Sequence, residues 1–159
     1  MKYETVTGPF STFYDQMKAI YDELMIKHNG DLDKVRAEMP KVNYVVGSLP
    51  PQIKEAWEKI LSKEIKAKSV FFSADSLAKQ LNHHPELTIK EYASVFDRMK
   101  GHIEIYKEGD FGVVLMFKDG VWYRVALKST NDLAEVYLTS LHKLNKDSLQ
   151  RARKGRRIY

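Results

Sequence analysis

The side chains that could do chemistry in this sequence are histidine, lysine, arginine, serine, threonine and tyrosine, concentrated between residues 73 and 142. Histidine exchanges protons near neutral pH, and lysine and arginine stabilise phosphate anions. Metal-free cleavage of RNA by its own 2′-OH needs this set: a base for the 2′ proton, an acid for the 5′ leaving oxygen and cations around the phosphorus. The composition permits this reaction without singling it out.

Several other chemistries lack their motifs. The chain has no cysteine, which excludes disulfides, thiol catalysis and cysteine-ligated metals. It has no H-E-x-x-H motif, no phosphate-binding glycine loop and no G-x-S-x-G turn. We therefore expect neither a metal nor a cofactor. A membrane span is not expected either, since no run of 18 apolar residues occurs.

Charge is distributed unevenly along the chain. Residues 1–67 carry equal numbers of basic and acidic side chains, so the whole net charge of +5 lies in residues 68–159. Basic residues are densest at the end, where they face only Asp147; they are Lys143, Lys146, Arg151, Arg153, Lys154, Arg156 and Arg157. Such a stretch is typical of a surface for nucleic acid, and the alternative is a solvated tail that keeps the protein soluble.

Three histidines fall in the second half in chemically suggestive places. His83 and His84 are adjacent, and Pro85 disfavours helix at His84, so the pair is predicted to lie in a loop between two helices. Functional residues collect in such loops, but a plain polar turn explains the pair equally well. His142, beside Lys143, is a candidate RNA contact.

The elements that would position these residues begin with three amphipathic segments. Apolar residues recur at the spacing of one helix face, separated by glycine and proline breaks. The segments run from Phe10 to Met25, from Leu32 to Met39 and from Ile53 to Leu61. Two further helices are predicted where Ser73 can cap residues 74–82 and where Thr88 with Glu91 forms a capping box.

Strands follow these helices. Asp119-Gly120 is typical of a two-residue hairpin turn, and a last helix is predicted near Asp147. The predicted strands are His102–Lys107, Phe111–Lys118, Val121–Lys128 and Leu133–Ser140. This order predicts an α+β fold, in which N-terminal helices precede two helices and a four-stranded antiparallel meander. Residues 1–66 would form a helical region and residues 67–159 a basic domain.

Strand pairing predicts which side chains share a face. If Lys128 faces Leu133 across the turn, then Arg124 faces Tyr137 and Trp122 faces Thr139, and opposed residues point to the same side. This register would gather cationic and hydroxyl side chains on one face. Ordinary cross-strand pairs on a half-solvated face are an equally good interpretation, and a slip of one residue would disperse the set.

Three segments resemble a known group of enzymes. They are SVFFSADSLAKQLNHHPELTIKEY, then WYRVALKST, then EVYLTSLHKLN, covering about residues 69–146. Together they resemble the phage-encoded branch of the barnase/EndoU/colicin/RelE-like nuclease superfamily. The matching positions follow the family's order of motifs; they are Ser73, Lys79, His84-Pro85-Glu86, Lys128 with Thr130, and Thr139-Ser140.

The resemblance implies a barnase/RelE-like fold and a metal-independent ribonuclease, often a toxin or phage effector. His84 would be the acid or base, Lys79 and Lys128 would stabilise the phosphate, and Thr139 and Ser140 would orient the scissile group. The predicted substrate-binding residues come from these motifs, the strand argument and the basic end; they are Ser73, Arg124, Tyr137, His142, Arg151 and Arg153.

The resemblance also implies partners and a location. RNA, either tRNA or mRNA, would be the substrate. Residues 1–66 lie outside the resemblance; their balanced charge and amphipathic stripes make them a candidate docking segment for an inhibitor or a phage structural protein. The expected location is the host cytoplasm or the virion. The alternative is a binding protein without catalysis on the same fold, serving phage structure or host takeover.

Overall fold

A computed structural model describes residues 3–99, 103–108 and 111–157. The described helices are α1 Phe10–Lys27, α2 Leu32–Glu38, α3 Pro51–Leu61, α4 Ala74–His83, α5 Ile89–Arg98 and α6 Lys146–Ala152. The described strands are β1 Glu4–Val6, β2 Val42–Ser48, β3 Ser69–Ser73, β4 Ile103–Glu108, β5 Phe111–Lys118, β6 Val121–Ser129, β7 Val136–Leu144 and β8 Arg156–Arg157. These strands form one sheet in the order β1-β2-β3-β7-β6-β5-β4-β8.

The expectation of a four-stranded antiparallel meander after purely helical N-terminal residues is wrong, although the chain is α+β. Strands β4 to β7 do form a meander, but they are the middle of a larger mixed sheet. Strands β1 and β2 pair in parallel, as do β3 and β7. Strand β2 is not predicted from the sequence, because its residues lie between proline breaks and carry little alternation.

Local signals place the helices where the sequence predicts them. The Ser73 side chain accepts a hydrogen bond from the Ser76 backbone N–H and so caps α4. Thr88 and Glu91 form the predicted reciprocal capping box of α5. The hairpin between β5 and β6 turns at Asp119-Gly120, both with positive φ, as a type I′ turn requires. The predicted strand start at His102 lies outside the described residues.

One face of the sheet is packed by helices. Buried residues of α1 to α5 form a single core cluster with alternate strand residues such as Val125 and Leu127. Aromatic rings fill its centre: Phe10, from the N-terminal segment, lies 5.2 Å from Tyr92 and 6.3 Å from Phe72, centroid to centroid. Residues 1–66 therefore contribute to the same core as the second half of the chain.

The other face carries the polar side chains of β6 and β7 and is partly covered by α6. Leu149 and Ala152 of α6 pack near Leu144 and Leu115 in a second, smaller cluster. Arg153, directly after α6, fixes this arrangement. Its guanidinium donates two hydrogen bonds to Glu104, at 3.1 and 2.7 Å, and lies over the Trp122 ring.

The predicted register between β6 and β7 is wrong. Arg124 faces His142 and Lys128 faces Tyr137, whereas the sequence argument paired Arg124 with Tyr137. The reason is the turn between the strands: the Thr130 N–H donates to the Glu135 carbonyl, and β7 begins only at Val136. Within the described residues, no helix is long and apolar enough to cross a bilayer.

Candidate active site

Helix α4 takes the place of a strand beside half of β7. Strands β3 and β7 pair only at Val70–Val136 and Phe71–Tyr137, after which β3 ends and α4 begins while β7 continues. Gln80 of α4, fully buried, donates to the Leu141 carbonyl at 2.6 Å and accepts from the Leu141 N–H at 3.2 Å. This side chain therefore satisfies backbone groups of β7 that lack a strand partner.

Lys79, the residue before Gln80, makes a similar contact two residues earlier on β7. Its ammonium donates to the Thr139 carbonyl at 2.6 Å. Burial, followed by the nearby positive charge of Arg36, lowers the pKa of Lys79. The role predicted for Lys79, stabilising a phosphate, stays a prediction, because the observed partner of its ammonium is the backbone of β7.

A β-bulge at Thr139 decides which side chains of β7 share a face. Ala126 of β6 faces Ser140 and the next residue, Leu127, faces Leu138, so Thr139 is the additional residue. Its hydroxyl donates to the Ala126 carbonyl at 3.1 Å. Without the bulge, Tyr137 and His142 would point to opposite faces, because side chains alternate along a strand. With it, both lie on the face opposite the helices, near Arg124 and Lys128.

Two imidazole rings meet at the end of α4. The rings of His84 and His142 are stacked, with centroids 5.2 Å apart and planes 14° apart. The His84 Nδ1 lies 3.5 Å from a carboxylate oxygen of Glu86, the last residue of the predicted His-Pro-Glu turn. The sequence placed His84 and His142 in separate roles, and the structure brings them into contact.

The environment of His142 favours its neutral form. Burial lowers its pKa, and the positive charges of Arg124 and His84 lower it further, against a smaller opposing effect from Glu86. Neutral imidazole can accept a proton at physiological pH. His142 is therefore suited to act as a general base.

A cationic cleft of about 500 Å³ opens beside His142. Arg124, His142, Arg151 and Lys154 are among the residues that line it. Arg124 donates to Glu108 at 3.0 Å, which uses part of its five-donor guanidinium. The cleft combines a proton acceptor with positive charge, the requirement for chemistry on a phosphodiester.

A second cleft of about 500 Å³ lies farther along the same face. Four predicted site residues line it, namely Ser73, Lys128, Tyr137 and Thr139. Ser140, paired with Ala126, lies between the two clefts along β7. Lys79 and His84 line neither cleft but reach β7 from α4, through the Thr139 carbonyl and the His142 ring. Arg153 also lines neither cleft and is held by Glu104 and Trp122.

Sequence reasoning missed three residues that shape this face: Gln80, Asn43 and Asn131. Gln80 had a usable signal, since it is a polar residue on the apolar stripe of α4, between Leu77 and Leu81. Asn43 lies on β2, which was not predicted, and donates to the Tyr137 hydroxyl at 3.1 Å. Asn131 lines the second cleft from a turn, where sequence alone gives no function.

Comparisons with known proteins add no homologue. No family model, curated protein or solved structure matches the chain. Within the described residues, no three histidine, aspartate or glutamate side chains form a group that could hold a metal ion. The geometry of the two clefts and the motifs of the sequence are therefore the basis on which a function can be proposed.

Proposed function

We propose that this protein is a metal-independent ribonuclease that cleaves single-stranded RNA, tRNA or mRNA, by transesterification through the 2′-OH. The observation that carries the proposal is His142, which lines a cationic cleft with Arg124 and is stacked against His84. The order of motifs over residues 69–146, similar to that of the nuclease superfamily named above, supports it from the sequence. Such an enzyme would act on RNA in the host cytoplasm.

The reaction assigns one step to each imidazole. The 2′ oxygen attacks the adjacent phosphorus, the P–O5′ bond breaks, and the products are a 2′,3′-cyclic phosphate and a 5′-hydroxyl. His142 takes the 2′ proton, because its lowered pKa leaves a neutral nitrogen available. His84, protonated at the start of the reaction, donates its proton to the 5′ oxygen as the P–O5′ bond breaks, with Glu86 orienting its ring.

Cations stabilise the charge that develops on the phosphorane oxygens. Arg124 faces His142 across the β6–β7 ladder and is close enough to contact the same phosphate. Arg151 and Lys154 line the same cleft and would bind neighbouring phosphates. Ser140 lies on β7 between His142 and Tyr137 and would contact the ribose. This places the ribose on the side of the histidine pair that faces Lys128.

The test is cleavage of a labelled single-stranded RNA in the presence of EDTA, with the cyclic phosphate product identified. We expect wild type to cleave, and His142→Ala and His84→Ala each to lose about 100-fold or more of the rate. His83→Ala is the matched control, because His83 is exposed and next to His84, and should cleave like wild type. Full activity in both active-site variants, or loss of cleavage in EDTA, would contradict the proposal.

RNA binding without cleavage is the second candidate, favoured by the cationic lining of the cleft at Arg124, Arg151 and Lys154. A phage structural or host-takeover protein could use this surface to hold RNA. Its affinity should fall steeply with salt, since phosphate binding releases counterions. Expression separates the two candidates: an active ribonuclease should arrest the producing cell, and a binding protein should be tolerated.

A further inference from the structure

Tyr137 forms an aromatic wall of the second cleft, and Phe71 packs against its ring. Phe71 and Tyr137 face each other across the short parallel pairing of β3 and β7, with ring centroids 5.8 Å apart. Both side chains are only partly buried. Aromatic side chains that remain accessible on a sheet can stack against unpaired nucleobases.

The ring of Tyr137 is available to a ligand, whereas its hydroxyl is engaged in hydrogen bonds. The hydroxyl donates to Glu135 at 2.8 Å and accepts from Asn43 at 3.1 Å. Asn43 is 3% exposed, which places this anchor below the surface. Burial, followed by the hydrogen bond to Glu135, raises the pKa of Tyr137 to about 12. The phenol is therefore neutral and rigid, as a stacking surface should be.

A rigid turn that lines the same cleft presents polar groups. The Thr130 hydroxyl donates to Asp132 at 2.6 Å and accepts from the Glu135 N–H at 3.1 Å, so the turn is fixed internally. Asn131 sits in this turn, is exposed and lines the cleft. Its amide offers both a donor and an acceptor, the pair of groups that reads the hydrogen-bonding edge of a base.

The cleft lies on the same face as the histidine pair. Lys128 faces Tyr137 and Arg124 faces His142, four residues apart on β6, a distance of roughly 13 Å along the strand. Lys128 also lines the cleft and brings a positive charge to it. One extended RNA strand could therefore contact the cleft and the histidine pair at once.

We propose that the cleft is a nucleobase subsite, which binds one unstacked base of single-stranded RNA near the scissile phosphate. Tyr137, supported by Phe71, stacks on the base, Asn131 reads its edge, and Lys128 contacts the adjoining phosphate. The cleft volume of about 500 Å³ is in the range of small-ligand sites. This inference rests on the proposed function in taking RNA as the substrate, but it concerns recognition and not the proton transfers.

The experiment uses 2′-O-methyl octanucleotides of each base and an abasic octamer with the same phosphates. These probes lack the reactive 2′-OH, so their binding to the full chain is read independently of cleavage. We expect at least one base octamer to bind about 10-fold tighter than the abasic octamer. Tyr137→Leu should remove most of that difference, whereas Tyr137→Phe should keep it because the ring remains.

Asn131→Ala should reduce the spread of affinities among the four bases, and Gln16→Ala, an exposed amide on α1, should leave it unchanged. Equal binding of base and abasic probes, or no binding, would overturn the subsite. A base preference that survives both Asn131→Ala and Tyr137→Leu would do so as well. Base-dependent binding without cleavage of unmodified RNA would instead leave the subsite standing and remove the proposed catalysis.

Discussion

The two faces of the sheet are built differently. The helical face buries rings and branched side chains from α1 to α5, with Phe72 at 0% exposure. The opposite face carries Arg124, Lys128, Tyr137 and His142 in partly exposed positions and is covered in part by α6. Stability is thus concentrated on one face and reactive groups on the other, so substitutions should separate the two properties.

The largest effect should come from the helical face. Phe72→Ala would remove a ring that lies between Phe10, Tyr92 and Phe96, and it should lower the free energy of unfolding by about 3–5 kcal/mol. Ser140→Ala on the other face should change it by less than about 0.5 kcal/mol. Urea denaturation measures both. Similar losses in the two variants would remove the distinction between the faces.

The next largest loss of stability is expected at the boundary between the faces, where α4 contacts β7. Gln80→Met keeps the volume of the side chain but leaves the Leu141 N–H and carbonyl buried without partners. We expect a loss of about 2–3 kcal/mol in the free energy of unfolding. Gln16→Met on the exposed side of α1 is the control and should be nearly neutral. A neutral Gln80→Met would mean that α4 does not support β7.

Arg153 tests how α6 is held to the open face. Arg153→Ala should cost about 1 kcal/mol at neutral pH, a modest value because Arg153 is partly exposed. The hydrogen bond from Arg153 lowers the pKa of Glu104 in the folded protein. The stabilisation from the Arg153–Glu104 pair is therefore present above the unfolded glutamate pKa of about 4.3. It is lost as the pH falls through the pKa of Glu104 in the folded protein. Denaturation at pH 7 and below pH 4 should show the difference between wild type and variant shrinking.

The smallest effect is a displacement of the pH–rate profile. Because the pKa of His142 is lowered, the acid limb of RNA cleavage should lie below the ordinary histidine value of about 6.5. Arg124→Met removes one cause of the lowering, so the limb should move to higher pH, independently of any fall in the maximal rate. A limb that stays in place would mean that His142 is not the base.

Local signals in the sequence were enough for the helices and for one turn. Ser73, Thr88 with Glu91, and Asp119-Gly120 act within a few residues of themselves, so their patterns specify caps and a hairpin directly. Strand β2 was not predictable in this way, because it is stabilised by distant pairing with β1 and β3.

The candidate site could also be predicted only in part, because it too depends on distant pairing. Some residues of the two clefts were predicted by type, among them Arg124, Tyr137 and His142, but their neighbours were not. The contact of His84 with His142 depends on the register of β7 and on the bulge at Thr139, and neither leaves a mark in the sequence. The assumption that Lys128 faces Leu133 failed because residues 130–135 form a longer turn.

The bonds from α4 to β7 also cover part of a strand edge. Beyond Tyr137, where β3 no longer pairs with it, the backbone of β7 would be an unpaired strand edge. Such an edge is a template for pairing with another chain and a route to aggregation. Gln80 and Lys79 occupy its carbonyls at Leu141 and Thr139. Helix α4, which ends at the histidine pair, therefore covers backbone groups of β7 that could otherwise pair with a strand of another chain.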